Sequence, residues 1–261
     1  MPRANRHFLA GQVWHITHRC HKQQFLQKFC RDRKQWLHWL YQARKRYGLC
    51  ILNYIVTSNH IHLLVRDQGK GEIARSMQLI AGRTAQQYNT RKSRTGAYWE
   101  DRYHATAVQT DDHFARCMVY VDLNMVRTGV VEHPAAWAHS GYNEIQAPPE
   151  RYRRIDTDQL TRVLGFTDAK RMREAHRQWV QTALDNGRVK REAQWSESIA
   201  VGRPEFLESI LNKLHPGHRG TRIVEVDGYY ELREERAAYL ANFTAEKDSL
   251  NQNKSLLLID F

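Results

Sequence analysis

The chain has 261 residues, 41% hydrophobic and 26% charged, a balance that excludes wholesale disorder and leaves room for one large folded unit or two modest ones. Lys and Arg outnumber Asp and Glu by 40 to 28, a formal charge of +12, which points to a polyanionic partner, nucleic acid ahead of an anionic membrane surface. No apolar run approaches the length of a spanning helix, and "MPRANRHFLAG" lacks the apolar stretch of a secretion signal. Cys20, Cys30, Cys50 and Cys117 form no CxxC pair, so they read as reduced thiols in a cytoplasmic protein rather than as disulfides or a structural zinc site.

The first half alternates strand and helix signals. "QVWHITHRC" (12–20) is β-branched and aromatic with a period near two, and predicts a strand. Residues 31–48 carry Trp36, Leu40, Ala43 and Tyr47 at helical spacing, closed by Gly48. "CILNYIVTSNHIHLLVR" holds two strands, 50–56 and 60–66, around a Thr57-Ser58-Asn59 turn. A helix follows with Ile73, Met77, Ile80, Thr84 and Tyr88 on one stripe. A fourth strand spans 102–110, and Asp111 or Asp112 caps a helix running to about Arg127. The order βαββαβ plus a helix predicts an α+β, ferredoxin-like unit: a four-stranded antiparallel sheet with helices on one face and the other face free for a ligand or a further helix. Proline and arginine in "QAPPERYRRIDTD" place a linker at 146–158, dividing a 1–145 domain from a mostly helical extension, 159–261. In that extension 159–187 and 196–214 look helical, and "RIVEVDGYYEL" reads as a hairpin turning at Asp227-Gly228.

Chemistry concentrates in two places. On the strand 60–66, alternation sends His60, His62 and Leu64 to one face and Ile61, Leu63 and Val65 to the other. Two imidazoles about 7 Å apart along a strand can converge on one cation, although a lone HxH is more often an ordinary hydrogen-bonded pair. In the helix "HFARCMVYVDLNMVR", Phe114, Met118, Val121 and Met125 form the core stripe. Tyr120 falls well off it, sharing a side with Arg116, Asn124 and Arg127, a grouping suited to handling phosphate. An ordinary solvated face is the alternative.

His60-Ile61-His62 together with "YVDLNMVRTGVVEHPAAW" (120–137) resembles the HUH single-tyrosine transposases, and among them the REP-associated tyrosine transposases. The similarity runs from "MPRANRHF" to about Tyr142 and includes "AYWEDRYHATAVQT". The resemblance implies that Tyr120 is a nucleophile, that His60 and His62 hold a divalent ion (Mg²⁺ or Mn²⁺), and that Asn124 completes the ligand set. It implies a metal-dependent single-strand DNA endonuclease and strand transferase acting on hairpin-forming repeats, as monomer or homodimer, in the cytoplasm at the nucleoid. Met125 stands where the family usually has proline, and methionine there should leave the helix smooth.

Other residues join as candidates for DNA contact. Arg91, Lys92, Arg94 and Arg102 lie near Tyr98, Trp99 and Tyr103, as expected where bases stack beside a phosphate path, though a tryptophan such as Trp99 belongs more often to a core than to a stacking platform. Arg3 and Arg6 could form an arm reading a short sequence at a hairpin foot. His15, His18, His21 and His104 are not needed as ligands. A competing reading is a non-catalytic single-stranded DNA or RNA binder using its sheet face, against which stand histidines where aromatics would be expected. If arginines and lysines neutralise phosphates, affinity for a single strand should fall by about 0.7 log units per contact for each log unit of salt. Anisotropy titrations across salt concentrations measure that slope, and an affinity indifferent to salt would assign the charge another purpose.

Overall fold

The computed structural model describes residues 8–187, 190–214, 220–226 and 228–234. In chain order its elements are β1 (Val13–Arg19), α1 (Cys30–Tyr47), β2 (Cys50–Val56), β3 (His60–Arg66), α2 (Glu72–Arg91), β4 (His104–Val108), α3 (Asp112–Asp122) and α4 (Asn124–Arg127). There follow α5 (Gly141–Gln146), α6 (Thr157–Val163), α7 (Ala169–Asp185), α8 (Gln194–Glu197), β5 (Ala200–Gly202), α9 (Pro204–Lys213), β6 (Thr221–Val226) and β7 (Tyr229–Glu234). Apolar periodicity accounts for the first of these. Trp36, Leu40 and Ala43 are fully buried on one stripe of α1, and Gly48 ends the helix in the left-handed conformation at φ 71°.

The four antiparallel strands stand in the order β2-β3-β1-β4. They are one end of a larger sheet. β5 adds parallel to β4, and β7 and β6 continue it antiparallel, giving seven strands in all. The stretch 196–214, expected as helix, therefore contains a strand. Ala200-Val201-Gly202 is too short to show a period of two, and its placement comes from pairing with Ala107 and Val108. The hairpin expected at 222–232 is present as β6 and β7, while Asp227 lies outside the described residues.

The segment expected as a linker is packed. Ile155 is 3% exposed and bridges Ile51, and the Asp156 amide donates to the Ile51 carbonyl at 2.8 Å. Glu144 accepts from Tyr54 Oη and from the Ile155 amide, each at 2.8 Å. Trp195, Ala200, Val201, Leu207 and Leu232 join the same buried cluster as the strands of the first half. The second half thus completes one core instead of forming a separate one.

α1 and α2 lie side by side over the face to which β3 sends Ile61, Leu63 and Val65, all fully buried. The opposite face carries further helices, one of the two arrangements expected for it. It is covered by α3, which packs on β2 and α7, and by α8, which packs on β1 and β4. Among the described residues no helix is long and apolar enough to cross a membrane.

A buried polar chain ties α3 to its neighbours. Asn53 of β2 donates to Asp122 Oδ1 at 3.0 Å, and Asp122 Oδ2 lies 2.7 Å from His176 Nε2 on α7, both side chains fully buried. Gln146 Nε2 reaches His176 Nδ1 at 2.9 Å. Deleting one partner of such a chain strands the others without solvent. His176→Leu should therefore cost about 2 kcal/mol or more, read as a lowered midpoint in urea denaturation. An unchanged midpoint would mean that α3 is held by its apolar stripe alone.

Candidate active site

The candidate site lies on the histidine face of the sheet. In the β1–β3 register Thr17 stands opposite His62, Arg19 opposite His60 and His15 opposite Leu64, so all six side chains share a face. His62 is 4% exposed and His15 fully buried, while His60 is half-buried at the mouth.

Hydrogen bonds define each ring. The Thr57-Ser58-Asn59 turn brings Asn59 Oδ1 to 2.7 Å from His60 Nδ1, and Asn59 Nδ2 donates to the Gln23 carbonyl at 3.2 Å, which fixes the amide orientation. His60 Nδ1 therefore carries the proton, and Nε2 keeps its lone pair. His62 has Nδ1 2.9 Å from His15 Nε2, and its Nε2 accepts from Asn124 Nδ2 at 2.9 Å.

α3 brings Tyr120 into this cluster. Its ring centroid is 5.8 Å from that of His62 at 90°, 6.2 Å from His15 and 6.4 Å from Trp195. The core stripe is as expected, with Phe114, Met118, Val121 and Met125 buried. Tyr120, expected on a polar side of the helix, is itself only 6% exposed, because that side faces the histidines and the C-terminal segment. Arg127 lies over the Tyr120 ring at 4.1 Å and donates to the Tyr120 carbonyl at 3.3 Å, a cation–π contact worth about 1 kcal/mol. Arg116 instead sits over Tyr229 of β7 at 4.8 Å.

Tyr120 and Asn124 do not share one smooth helix. The chain turns at Leu123 (φ −79°, ψ 4°), and Asn124 opens the short α4. Proline is not needed for the break. Asp122 is anchored on Asn53 and His176 on one side of the turn, and Asn124 on His62 on the other.

Burial shapes the electrostatics. It lowers His60 to about 4, helped by Arg19, Arg127 and Arg191, and drives His62 well below its ordinary value, with His60 and His15 adding to the effect. Both imidazoles are thus neutral at physiological pH, the form in which they bind metals. Burial raises the Tyr120 phenol, partly opposed by Arg127, so the hydroxyl holds its proton.

His60, His62 and Asn124 suit a divalent cation. Asn124 Oδ1 is buried without a hydrogen-bond partner among the described residues. A half-turn of the amide, whose oxygen and nitrogen are assigned from the network, would put that oxygen where Nδ2 now stands, 2.9 Å from His62 Nε2. Neighbouring ligands on an octahedral ion with bonds of about 2.1 Å are about 3 Å apart. In that flipped state the two lone pairs would repel each other, and a cation bound by both would remove the repulsion. Among the described residues no group of three His, Cys, Asp or Glu offers a competing metal site.

The other expected DNA-contacting residues fall into different settings. Arg91 pairs with the buried Asp32 and lies over Tyr88, and Lys92 lies over the exposed Phe29 ring at 5.5 Å. Arg94 holds its own loop, donating to Asn89 Oδ1 and to the Ala97 carbonyl. Trp99 is half-buried, stacked on His18 at 4.0 Å with its indole N–H on the Ala81 carbonyl. Arg102 is exposed at the surface. Arg3 and Arg6 lie outside the described residues. Sequence reasoning set His15 aside, although its spacing from Thr17, the residue paired with His62, puts it on the same face as His62. It gave no sign of Trp195, Arg19 or Arg191.

Residues 12–124 match the family described as IS200-like transposases. No curated protein matches the chain. Among solved structures it is similar to a REP-associated tyrosine transposase bound to a REP hairpin, at 17% identity and a TM-score of 0.48, covering 57% of this chain and 87% of that one. It is also similar to a candidate transposase from Deinococcus radiodurans R1, at 14% identity and a TM-score of 0.31, covering 40% of this chain and 83% of that one.

Proposed function

Because the chain belongs through residues 12–124 to the IS200-like transposase family, and so to a class of DNA-processing proteins, we propose that it is a metal-dependent single-strand DNA endonuclease and strand transferase. Its substrates would be hairpin-forming repeats such as REP elements, cut through a 5′-phosphotyrosine intermediate. The observation that carries the reading is the meeting of Tyr120 with His60, His62 and Asn124 in one buried cluster.

His60, His62 and Asn124 would hold Mg²⁺ or Mn²⁺, with imidazole nitrogens favouring Mn²⁺ and the amide oxygen acceptable to both. When bound, the ion supplies Lewis-acid polarisation of the scissile phosphate. Arg19 and Arg127, close enough to act on His60, place positive charge where the phosphate oxygens would sit. Arg127 also holds the Tyr120 ring from above, so the nucleophile is oriented before substrate arrives.

The Tyr120 oxygen then attacks phosphorus in line and the 3′ oxygen leaves. The phenol gives up its proton as the leaving oxygen takes one up, so the step is proton-neutral. One phosphodiester is exchanged for another, and a second 3′ hydroxyl can reverse the exchange to rejoin strands without ATP.

Incubating the full chain with a hairpin oligonucleotide and Mn²⁺, followed by denaturing electrophoresis, tests the proposal. Cleavage should disappear in excess chelator and in His60→Ala or His62→Ala. Tyr120→Phe keeps the ring beneath Arg127, and should bind the hairpin normally while cutting at least 10³-fold more slowly (about 4 kcal/mol in barrier). Full activity in chelator would remove the metal from the account. Normal cutting by Tyr120→Phe would point to a metal-activated water and a hydrolytic nuclease.

A further inference from the structure

The catalytic cluster does not end with the family-matched residues. His15 Nδ1 lies 2.6 Å from the carbonyl of Trp195, at α8. A carbonyl only accepts, so this ring nitrogen carries a proton. His15 is fully buried, with no carboxylate among its hydrogen-bond partners in the described residues, and a charge placed there would have neither solvent nor a counter-charge, so the ring is neutral. A neutral His15 with its proton on Nδ1 has only a lone pair on Nε2. That lone pair faces His62 Nδ1 at 2.9 Å, and only a proton on His62 Nδ1 makes this a hydrogen bond. The His62 lone pair is then on Nε2, where Asn124 Nδ2 donates to it. Each donor along the chain has an acceptor.

We propose that His15, held by the Trp195 carbonyl, is a positioning residue that fixes His62 in the tautomer whose Nε2 lone pair faces Asn124, and that the segment around Trp195 is thereby part of the active site. The proposal rests on His62 being a ligand, as argued above. Asn59 does for His60 what His15 does for His62, with its amide turned by the Gln23 carbonyl, so both rings present Nε2. The Trp195 carbonyl is itself located from the sheet. Thr106 of β4 donates to it at 3.3 Å and to the Ser198 carbonyl at 2.7 Å, and β5 begins two residues later, paired with β4. Trp195 Nε1 donates to Glu192 Oε2 at 2.9 Å, which orients the residue from the other end. Trp195 follows the family-matched segment by some seventy positions, yet its backbone decides which nitrogen of a candidate ligand is free. A partner of this kind typically alters metal affinity by about 10–100-fold.

The tautomer is read directly in the metal-free full chain by long-range ¹H–¹⁵N correlation of the histidine rings, with the His62 signals assigned by their loss in His62→Gln. Wild type should show His15 and His62 both protonated on Nδ1. His15→Phe keeps the ring volume but removes the acceptor. It should let the Nε2-protonated form of His62 appear and weaken Mn²⁺ binding, followed by electron paramagnetic resonance of the free ion, by about 10–100-fold. His15→Gln, with one donor and one acceptor, should recover part of both. Protonation of wild-type His62 on Nε2, or a folded His15→Phe with unchanged tautomer and Mn²⁺ affinity, would overturn the proposal. If His15→Phe does not fold, the wild-type spectrum decides alone. The expected tautomers in a protein that binds no Mn²⁺ would support the relay and remove the metal from the proposed function instead.

Discussion

A buried imidazole has two nitrogens, and each must find a partner or cost the fold a few kcal/mol. His62 is 4% exposed, and much of the site follows from how its two nitrogens are satisfied. One meets His15, which meets a backbone carbonyl of the C-terminal segment. The other meets Asn124, which requires the chain to turn at Leu123 and leaves Tyr120 one turn earlier on α3, packed edge-on against the same ring. The positions of Tyr120 and of the candidate ligands are thus consequences of a single desolvated side chain.

The same burial governs charge. A chain with a formal charge of +12 surrounds its histidines with Arg19, Arg127 and Arg191, and every one of these favours the neutral ring. Neutral imidazoles keep lone pairs for a cation, while Arg127 is engaged with Tyr120 and Arg191 with Glu197. Arg127 has two tasks, shielding the Tyr120 ring and lowering the cost of its ionised form. The phenol nonetheless sits above its ordinary value because desolvation outweighs that help. In the proposed role such a nucleophile would stay quiet until a substrate phosphate and its counter-ion completed the site.

The first half of the fold was legible because its signals are local. Trp36, Leu40 and Ala43 on one helix stripe and the period-two runs 50–56 and 60–66 each carry their pattern within a few residues. His60, His62, Tyr120 and Asn124 could be picked out from spacing and family resemblance, and the structure brings them together. What local pattern could not show was closure by distant chain. β5 is three residues long and exists because β4 offers it an edge. Tyr120 was expected on a polar side, which holds for the isolated helix, but Trp195 and Arg127 cover it. His15 looked dispensable as a ligand, and its contacts show it supporting another histidine. Ile155 shows that a proline- and arginine-rich stretch can still carry an anchor, here pinned to Ile51.

The central claim is that Tyr120 Oη attacks phosphorus. Mass spectrometry of the full chain, after reaction with a hairpin oligonucleotide and nuclease trimming, tests it most directly. The account predicts a nucleotide joined through its 5′ phosphate to the peptide containing Tyr120, with the free strand ending in a 3′ hydroxyl. A label on another residue, or cleaved DNA with no protein-bound nucleotide at any time point, would contradict it.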